Sequence, residues 1–328
     1  MDRNLLLHTY RLMYTAKVMA ETYEANRQIT KYVHSTSRGH EAIQLATAFN
    51  LQPQDWVSPY YRDESLLLGL GWTPYELMLQ LLTRADDPFS GGRSYYSHPN
   101  SSAEDKPKII HQSSATGMQV IPTTGIAQGI QYLEGLGSEN FATTQSSTDE
   151  ETELKSGSPI SEVIAAGGSS HREESEMGRP IVLCSLGDAS VTEGEVSEAF
   201  QFAVLKQLPI IYLVQDNDWG ISVTAEEGRA MNAYRYAKGF KGMKRVKVDG
   251  TDFFESYKTM HKVVEKSVKN GNPTWCMQKS VCLIIILVAS ERSSTGARKT
   301  LPCTQRMIRS QNSEMPLLAI LVKTTWFK

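Results

Sequence analysis

Apolar positions along the first half of the chain recur at helical spacing. Leu5, Leu12, Met13, Ala16, Met19, Ala20 and Tyr23 fall near a 3.6-residue period, which predicts a long amphipathic helix. Residues 26–39 (NRQITKYVHSTSRG) lose the period and read as a loop, and residues 41–51 resume it. Thr73-Pro74 is a helix start signal, because Thr caps free amides and Pro tolerates the first helical position. That helix runs on through YELMLQLLTR, and residues 84–108, rich in Asp, Pro, Gly and Ser, read as a loop. Residues 116–137 form a third helical stretch, in which Gly117, Gly125, Ala127 and Gly129 permit close packing. Residues 138–179 are a polar tract of Ser, Thr and Glu with a weak apolar patch at 163–166, which predicts a surface insertion loop.

The pattern then changes to short continuous apolar runs. Residues 180–186 (PIVLCSL) and 209–214 (PIIYLV) read as buried strands. Between them Val196, Ala199, Phe200, Ala203 and Val204 share one helical face. Strand, helix and strand within about 35 residues predict a βαβ unit with parallel strands and a right-handed crossover. The fold class expected is α/β, a doubly wound, mostly parallel sheet preceded by an N-terminal helical arm.

Composition narrows the function classes. The chain has 328 residues, 40% of them apolar and 21% charged, which excludes wholesale disorder. With 34 Lys+Arg against 36 Asp+Glu the net charge is −2, so nucleic acid is not an expected partner. The longest apolar run, residues 281–289, is too short to cross a bilayer, and the first residues carry no signal-peptide core. No membrane association and a cytoplasmic location are expected. The four cysteines show neither zinc-site spacing nor disulfide density.

Chemistry is expected just after the two strands. Gly187-Asp188-Ala189-Ser190 follows the first, and Gln215-Asp216-Asn217-Asp218-Trp219-Gly220 follows the second. In a parallel sheet both lie on the carboxyl rim, where open α/β sheets bind ligands. A carboxylate (Asp188) and an amide oxygen (Asn217) suit a hard cation such as magnesium, whose remaining positions go to phosphate oxygens. The helix that begins beside them can face a phosphate with its free amides. The same residues also read as a helix cap and a turn, since Asp often follows a buried strand and Asp-Asn-Asp is common turn composition.

The stretch GDASVTEGEVSEAFQFAVLKQLPIIYLVQDNDWGIS resembles the thiamine-diphosphate motif of the α subunit of decarboxylating 2-oxo acid dehydrogenases. The resemblance extends to HSTSRGHEAIQLA, WVSPYYRDESLLLGLG and ADDPFSGGR, covers about residues 5–275, and is nearest to the branched-chain (2-oxoisovalerate) type in its fused α/β bacterial form. It implies the thiamine-diphosphate-binding fold and oxidative decarboxylation of a 2-oxo acid with acyl transfer to a lipoyl-bearing acyltransferase. It also implies a β-type subunit or domain as partner, in a hetero-oligomer or a homodimer of fused chains. Thiamine diphosphate and Mg2+ are the implied cofactors. Asp188 and Asn217 match the side-chain metal ligands, and Trp219 the residue that offers its backbone carbonyl. Tyr61 and Arg62 match the segment that holds the diphosphate, and Ser114 and Thr116 the segment beside the aminopyrimidine. Gly187, Ala189, Ser190, Glu193 and Ile221 match other cofactor-lining positions. His40 and His111 lie in matching segments, either lining the substrate pocket or serving structure; His8, His98, His171 and His261 read as non-catalytic. A pyruvate-type subunit, a non-catalytic remnant and a transketolase-like protein are the alternatives, the last disfavoured by YYRD and SRGHEAIQ.

The chain departs from the family pattern in three places. Ala189 replaces the second Gly of Gly-Asp-Gly. Asp216 replaces the first Asn of Asn-Asn and is expected to point away from a dianionic cofactor. Beyond GNPT at residues 271–274, relatives continue with roughly LVHAK and a His-His-Thr-Ser loop, whose His assists proton transfer. Here no His follows His261, so this chain carries no catalytic residue of its own by that pattern. Residues 1–275 carry 26 Lys+Arg and 34 Asp+Glu, whereas residues 276–328 carry 8 and 2, with three of the four cysteines. Permitted codons for residues 274–279, read one base earlier, spell LVHAK, and those for 284–296 spell HHTSGVRKEFYR. Residues 1–274 are therefore expected to be the α-type domain, and residues 275–328 a frameshifted, poorly folded tail.

Overall fold

The computed structural model of the chain describes residues 2–30, 33, 35–113, 115–144, 179–269 and 282–287. Helix α1 (Arg3–Ala25) buries Met13, Ala16, Met19, Ala20 and Tyr23, the stripe its spacing predicts. Helix α2 (Glu41–Ala48) is buried along its whole length. It is followed by β1 (Trp56–Ser58), α3 (Glu64–Gly69), α4 (Pro74–Leu81) and β2 (Lys108–Ile109). Helix α4 starts where Thr73-Pro74 predicts. Thr73 accepts from the Glu76 amide, and the Glu76 carboxylate accepts from the Thr73 amide, a reciprocal cap that satisfies two otherwise free donors.

Helix α5 (Val120–Thr144) runs into the tract expected to be loop, so 138–144 are helical. The rest of that insertion, 145–178, lies outside the described residues, as does His171. The βαβ unit is present as β3 (Val182–Gly187), α6 (Gly194–Lys206) and β4 (Ile210–Asp216). A short hairpin of β5 (Trp219–Gly220) and β6 (Val223–Thr224) follows, then α7 (Ala225–Gly228), α8 (Ala233–Tyr236), β7 (Lys244–Asp249), α9 (Phe253–Lys269) and β8 (Cys282–Leu287).

The main sheet has the order β2-β1-β3-β4-β8-β7, and every neighbouring pair is parallel. Side chains alternate across it. Leu183, Ile211 and Leu213 join a core with Tyr23, Leu67 and Met260, from α1, α3 and α9. Val182, Cys184, Tyr212 and Val214 join a second core with Val120, Ala127, Val196 and Phe200, from α5 and α6. Two apolar faces, each covered by helices, explain why β3 and β4 read as continuous apolar runs. The expected doubly wound α/β class is what the chain adopts. Among the described residues no helix is long and apolar enough to cross a membrane.

Strand β8 departs from expectation. It lies in the segment read as poorly folded, yet pairs with β4 (Leu213 with Ile284) and with β7 (Val246 with Ile284). A slot between two parallel strands accepts any uninterrupted aliphatic run, and CLIIIL is one. The remaining residues of 275–328 lie outside the described residues.

Candidate functional site

The chain passes from β1 outward to β2, then returns to β3 on the other side of β1. The crevice beyond the carboxyl ends of β1 and β3 is thus a topological switch point, where sheets of this class bind ligands. Residues 59–63 leave β1 there, residues 110–117 leave β2, Asp188 follows β3, and Asp216 ends β4.

Asp188 is 1% exposed, and neither carboxylate oxygen has a well-directed hydrogen bond. Arg229 Nη2 lies 2.6 Å from Asp188 Oδ2 and 3.6 Å from Asp216 Oδ1. Burial, and then contact with the Asp216 carboxyl, push Asp188 up to about 7, and Arg229 opposes them. Asp216 is 2% exposed, shares Arg229 Nη2 with Asp188, and its Oδ1 accepts from the Asp218 amide at 3.2 Å. The guanidinium accounts for this, because it offsets the repulsion of two adjacent carboxylates.

Asn217 is half-buried, and its Oδ1 accepts from the Trp219 amide at 3.1 Å, closing a tight side-chain turn. Ile221 is 96% exposed, at φ 58°, at the tip of the β5–β6 hairpin, away from the buried part of the site. Gly220 abuts the signature: a Cβ there would lie 3.0 Å from the Ala189 methyl. Gly220→Ala is accordingly expected to lower thermal stability by about 1–2 kcal/mol. Ala189→Gly in the same chain should restore most of that loss, and thermal melts of the two single variants and the double variant check it.

Arg62 is buried, and stacks its guanidinium 5.1 Å from the Tyr61 ring centroid and 5.4 Å from that of Tyr60. Its Nη2 donates to Tyr61 Oη at 2.7 Å, Nη1 lies 3.4 Å from His40 Nε2, and Nε has no partner. Tyr60 in turn packs on Gly187, where an added Cβ would sit 3.0 Å from its hydroxyl. Burial, with Arg62 alongside, lowers His40 to about 3, so this histidine is a neutral partner of Arg62 at pH 7.

Beneath them lies a network that the sequence reading missed. Asp63 is fully buried; Oδ1 accepts from Gln44 Nε2 (3.1 Å) and Gln215 Nε2 (2.7 Å), and Oδ2 from the Tyr60 amide (2.8 Å). Gln215 also donates to Ser185 Oγ at 2.9 Å. The network ties the segment carrying Arg62 to α2 and to the tips of β3 and β4. A single charged residue directly after Tyr-Tyr-Arg was its only visible signal. Arg229, also missed, lies outside every motif.

The segment after β2 comes less close to enclosure. Ser114 lies outside the described residues, and Thr116 and His111 are exposed. Gly117, at φ 83°, seats the segment on the signature, since a Cβ there would meet Glu193 Cβ and Cγ at 3.0 Å. Gln112 is buried, and its Nε2 has no partner. Ser190 is buried and donates to the Gly187 carbonyl, holding the turn after β3. His98 and His261 make structural contacts, His98 Nδ1 with the Tyr96 carbonyl and His261 Nδ1 with Asn50 Oδ1; His8 packs on Phe49. Among the described residues no group of three or more His, Cys, Asp or Glu is placed to hold a metal ion. A cation at this rim would have to draw on Asp188 together with amide and carbonyl oxygens.

Residues 10–276 match the family model described as dehydrogenase E1 component. The chain is 30% identical over 239 residues to the 2-oxoisovalerate dehydrogenase subunit alpha of Bacillus subtilis, covering 72% of this chain and 58% of that protein. It is 23% identical over 277 residues to the 3-methyl-2-oxobutanoate dehydrogenase subunit alpha of Mycobacterium tuberculosis (83% and 60%). It is 24% identical over 268 residues to the pyruvate dehydrogenase E1 component subunit alpha of Bacillus subtilis (80% and 56%). The chain thus spans somewhat over half the length of these curated relatives. With a parallel sheet of switch-point topology and a family match over most of its length, the chain belongs to the dehydrogenase E1 component family, in its α-subunit branch.

Proposed function

We propose that this rim holds thiamine diphosphate through Mg2+, and that the chain is the α-type part of a cytoplasmic 2-oxo acid dehydrogenase with branched-chain preference. One observation carries the reading: at the switch point a buried carboxylate whose only close partner is the Arg229 guanidinium (Asp188) follows the tip of β3, and a buried guanidinium with an unspent donor (Arg62) follows the neighbouring tip of β1. A buried charge requires a counter-charge, and a metal–diphosphate pair supplies both signs. In this reading Asp188, Asn217 and the Trp219 carbonyl hold the ion, which requires Asn217 to release the Trp219 amide. Arg62, fixed by Tyr61 and His40, takes the diphosphate as a preorganised fork. Ser114 and Thr116 stand beside the aminopyrimidine, and Gly187, Ala189, Ser190 and Glu193 shape the turn around the cofactor. Ile221, exposed at the hairpin tip, joins only if the hairpin folds inward. When bound, the coenzyme supplies the carbon nucleophile for decarboxylation of the 2-oxo acid.

A β-type subunit or domain and a lipoyl-bearing acyltransferase complete the proposed activity. The tail bears on whether the chain works alone. Its charge balance reverses after residue 275, and the family match ends at 276. Both support a shift of reading frame near residue 274, and the gene sequence from codon 270 decides it: no single-base shift restoring HHTSG would end that idea. A chain so altered lacks the loop His of its relatives, which favours a cofactor-binding remnant as the second reading. The test is decarboxylation of 2-oxoisovalerate, and of pyruvate, with an artificial electron acceptor. Little or no turnover is expected from this chain alone, and turnover matching an intact relative would contradict the reading of the tail.

A further inference from the structure

Arg229 stands directly after α7, with its side chain 6% exposed. It reaches the Asp188 and Asp216 carboxylates with Nη2, while its Nη1 is buried without a partner. A guanidinium normally uses a buried position to spend several donors at once. Here Nη2 serves both carboxylates and Nη1 is idle. The geometry is that of a cation filling a position between two acidic groups, rather than of a fork matched to one of them.

We propose that Arg229 is a built-in counter-ion for the divalent-cation site, and that metal loading is an exchange in which Arg229 leaves Asp188 and Asp216 as the ion enters at Asp188. The inference rests on the reading above and extends it to how the site is filled. Charge favours the exchange: two carboxylates with one guanidinium carry a net −1, and with a divalent ion they reach zero. Asp216, standing where the family pattern has Asn, makes the empty pair more repulsive and its need for a resident cation greater. The arm carrying Arg229 is built to release it. Helix α7 has no buried residue, and Ile221, Ser222, Val223, Glu226 and Glu227 of the preceding hairpin and helix are exposed. Apart from its own buried side chain, departure of Arg229 therefore disturbs little packing. The arm begins at Trp219, whose carbonyl the family pattern assigns to the metal, so ion entry and release of the arm act on one short segment.

The test uses the full chain and Mn2+ alone as probe, followed by electron paramagnetic resonance, and then Mn2+ with thiamine diphosphate followed by calorimetry. Amide hydrogen exchange is read over residues 225–231. Arg229→Gln is expected to bind Mn2+ at least about tenfold more tightly than the parent chain, with Arg229→Lys between them. Saturating Mn2+ should speed exchange over 225–231 in the parent chain and leave the Gln variant, already fast there, unchanged. Equal or weaker Mn2+ binding by Arg229→Gln, or unchanged exchange in the parent, overturns the exchange mechanism. If Arg229→Gln does not fold, the exchange measurement on the parent decides alone. Coenzyme uptake by the parent without these Arg229 effects would sink this inference and leave the functional reading intact. Tight Mn2+ binding by the variant without any coenzyme uptake would do the reverse, and no Mn2+ binding by either would overturn both.

Discussion

Asp188→Asn is expected to abolish magnesium-dependent uptake of thiamine diphosphate, weakening it by at least about 100-fold, or roughly 2.7 kcal/mol. The expectation follows from where the charge sits. Asp188 is buried at the tip of β3, and its only close partner is the Arg229 guanidinium at 2.6 Å, so on the proposed reading its charge is there to hold an ion. The amide keeps the shape and removes the charge. The free chain should not suffer from the change. The neighbouring Asp216 raises the cost of ionising Asp188, so replacing one of the two carboxylates relieves repulsion and offsets the weakened 2.6 Å contact with Arg229, which retains Asp216 at 3.6 Å. The signature is therefore lost binding with an unchanged or higher melting temperature, read by calorimetry and thermal melts on the same samples. Lost binding together with a lower melting temperature would instead make Asp188 a structural residue.

Asp63→Ala should act in the opposite sense. Its carboxylate is fully buried and takes three hydrogen bonds, two from glutamine side chains on different elements and one from the Tyr60 amide. Removing it leaves the Tyr60 amide without this acceptor and takes one of the acceptors from each buried glutamine amide, at a cost of about 3–5 kcal/mol. Asp63→Asn retains one acceptor but sets an amide donor against another, so a smaller loss of the same sign is expected. Urea unfolding measures both. Because Asp63 also anchors the segment that presents Arg62, coenzyme affinity should fall even under conditions where the variant is fully folded. A variant of parental stability and affinity would remove Asp63 from the account.

The strand-helix-strand unit was legible because β3, α6 and β4 are local: each is specified by its own apolar period, and their connections are short. The same holds for α1 and for the capped start of α4. Strands β1 and β2 were not legible, because two or three residues carry too little pattern; their place depends on pairing with β3, a non-local fact. Strand β7 alternates too weakly to stand out, with mostly half-buried and exposed positions. The placement of Asp188 and Asn217 at neighbouring tips followed from the parallel topology alone. The surroundings of Asp216 did not, since besides the Asp218 amide they include Arg229, a partner thirteen positions further along that no motif marks. The Asp63 network escaped for a similar reason: Gln44, Asp63 and Gln215 are ordinary polar residues until three elements bring them together. Strand β8 shows the converse, a stretch expected to be poorly folded because it follows the inferred shift of reading frame, whose aliphatic run nonetheless suits a slot between two parallel strands.

The central claim is that the tips of β3 and β4 jointly hold a divalent ion through which the coenzyme is anchored. Isothermal titration of thiamine diphosphate into the full chain, with Mg2+ and then with Mg2+ removed by chelation, tests it most directly. Saturable uptake that is present with Mg2+ and lost on chelation is the predicted result. Uptake indifferent to Mg2+, or none under either condition by a chain shown to be folded, would contradict the account.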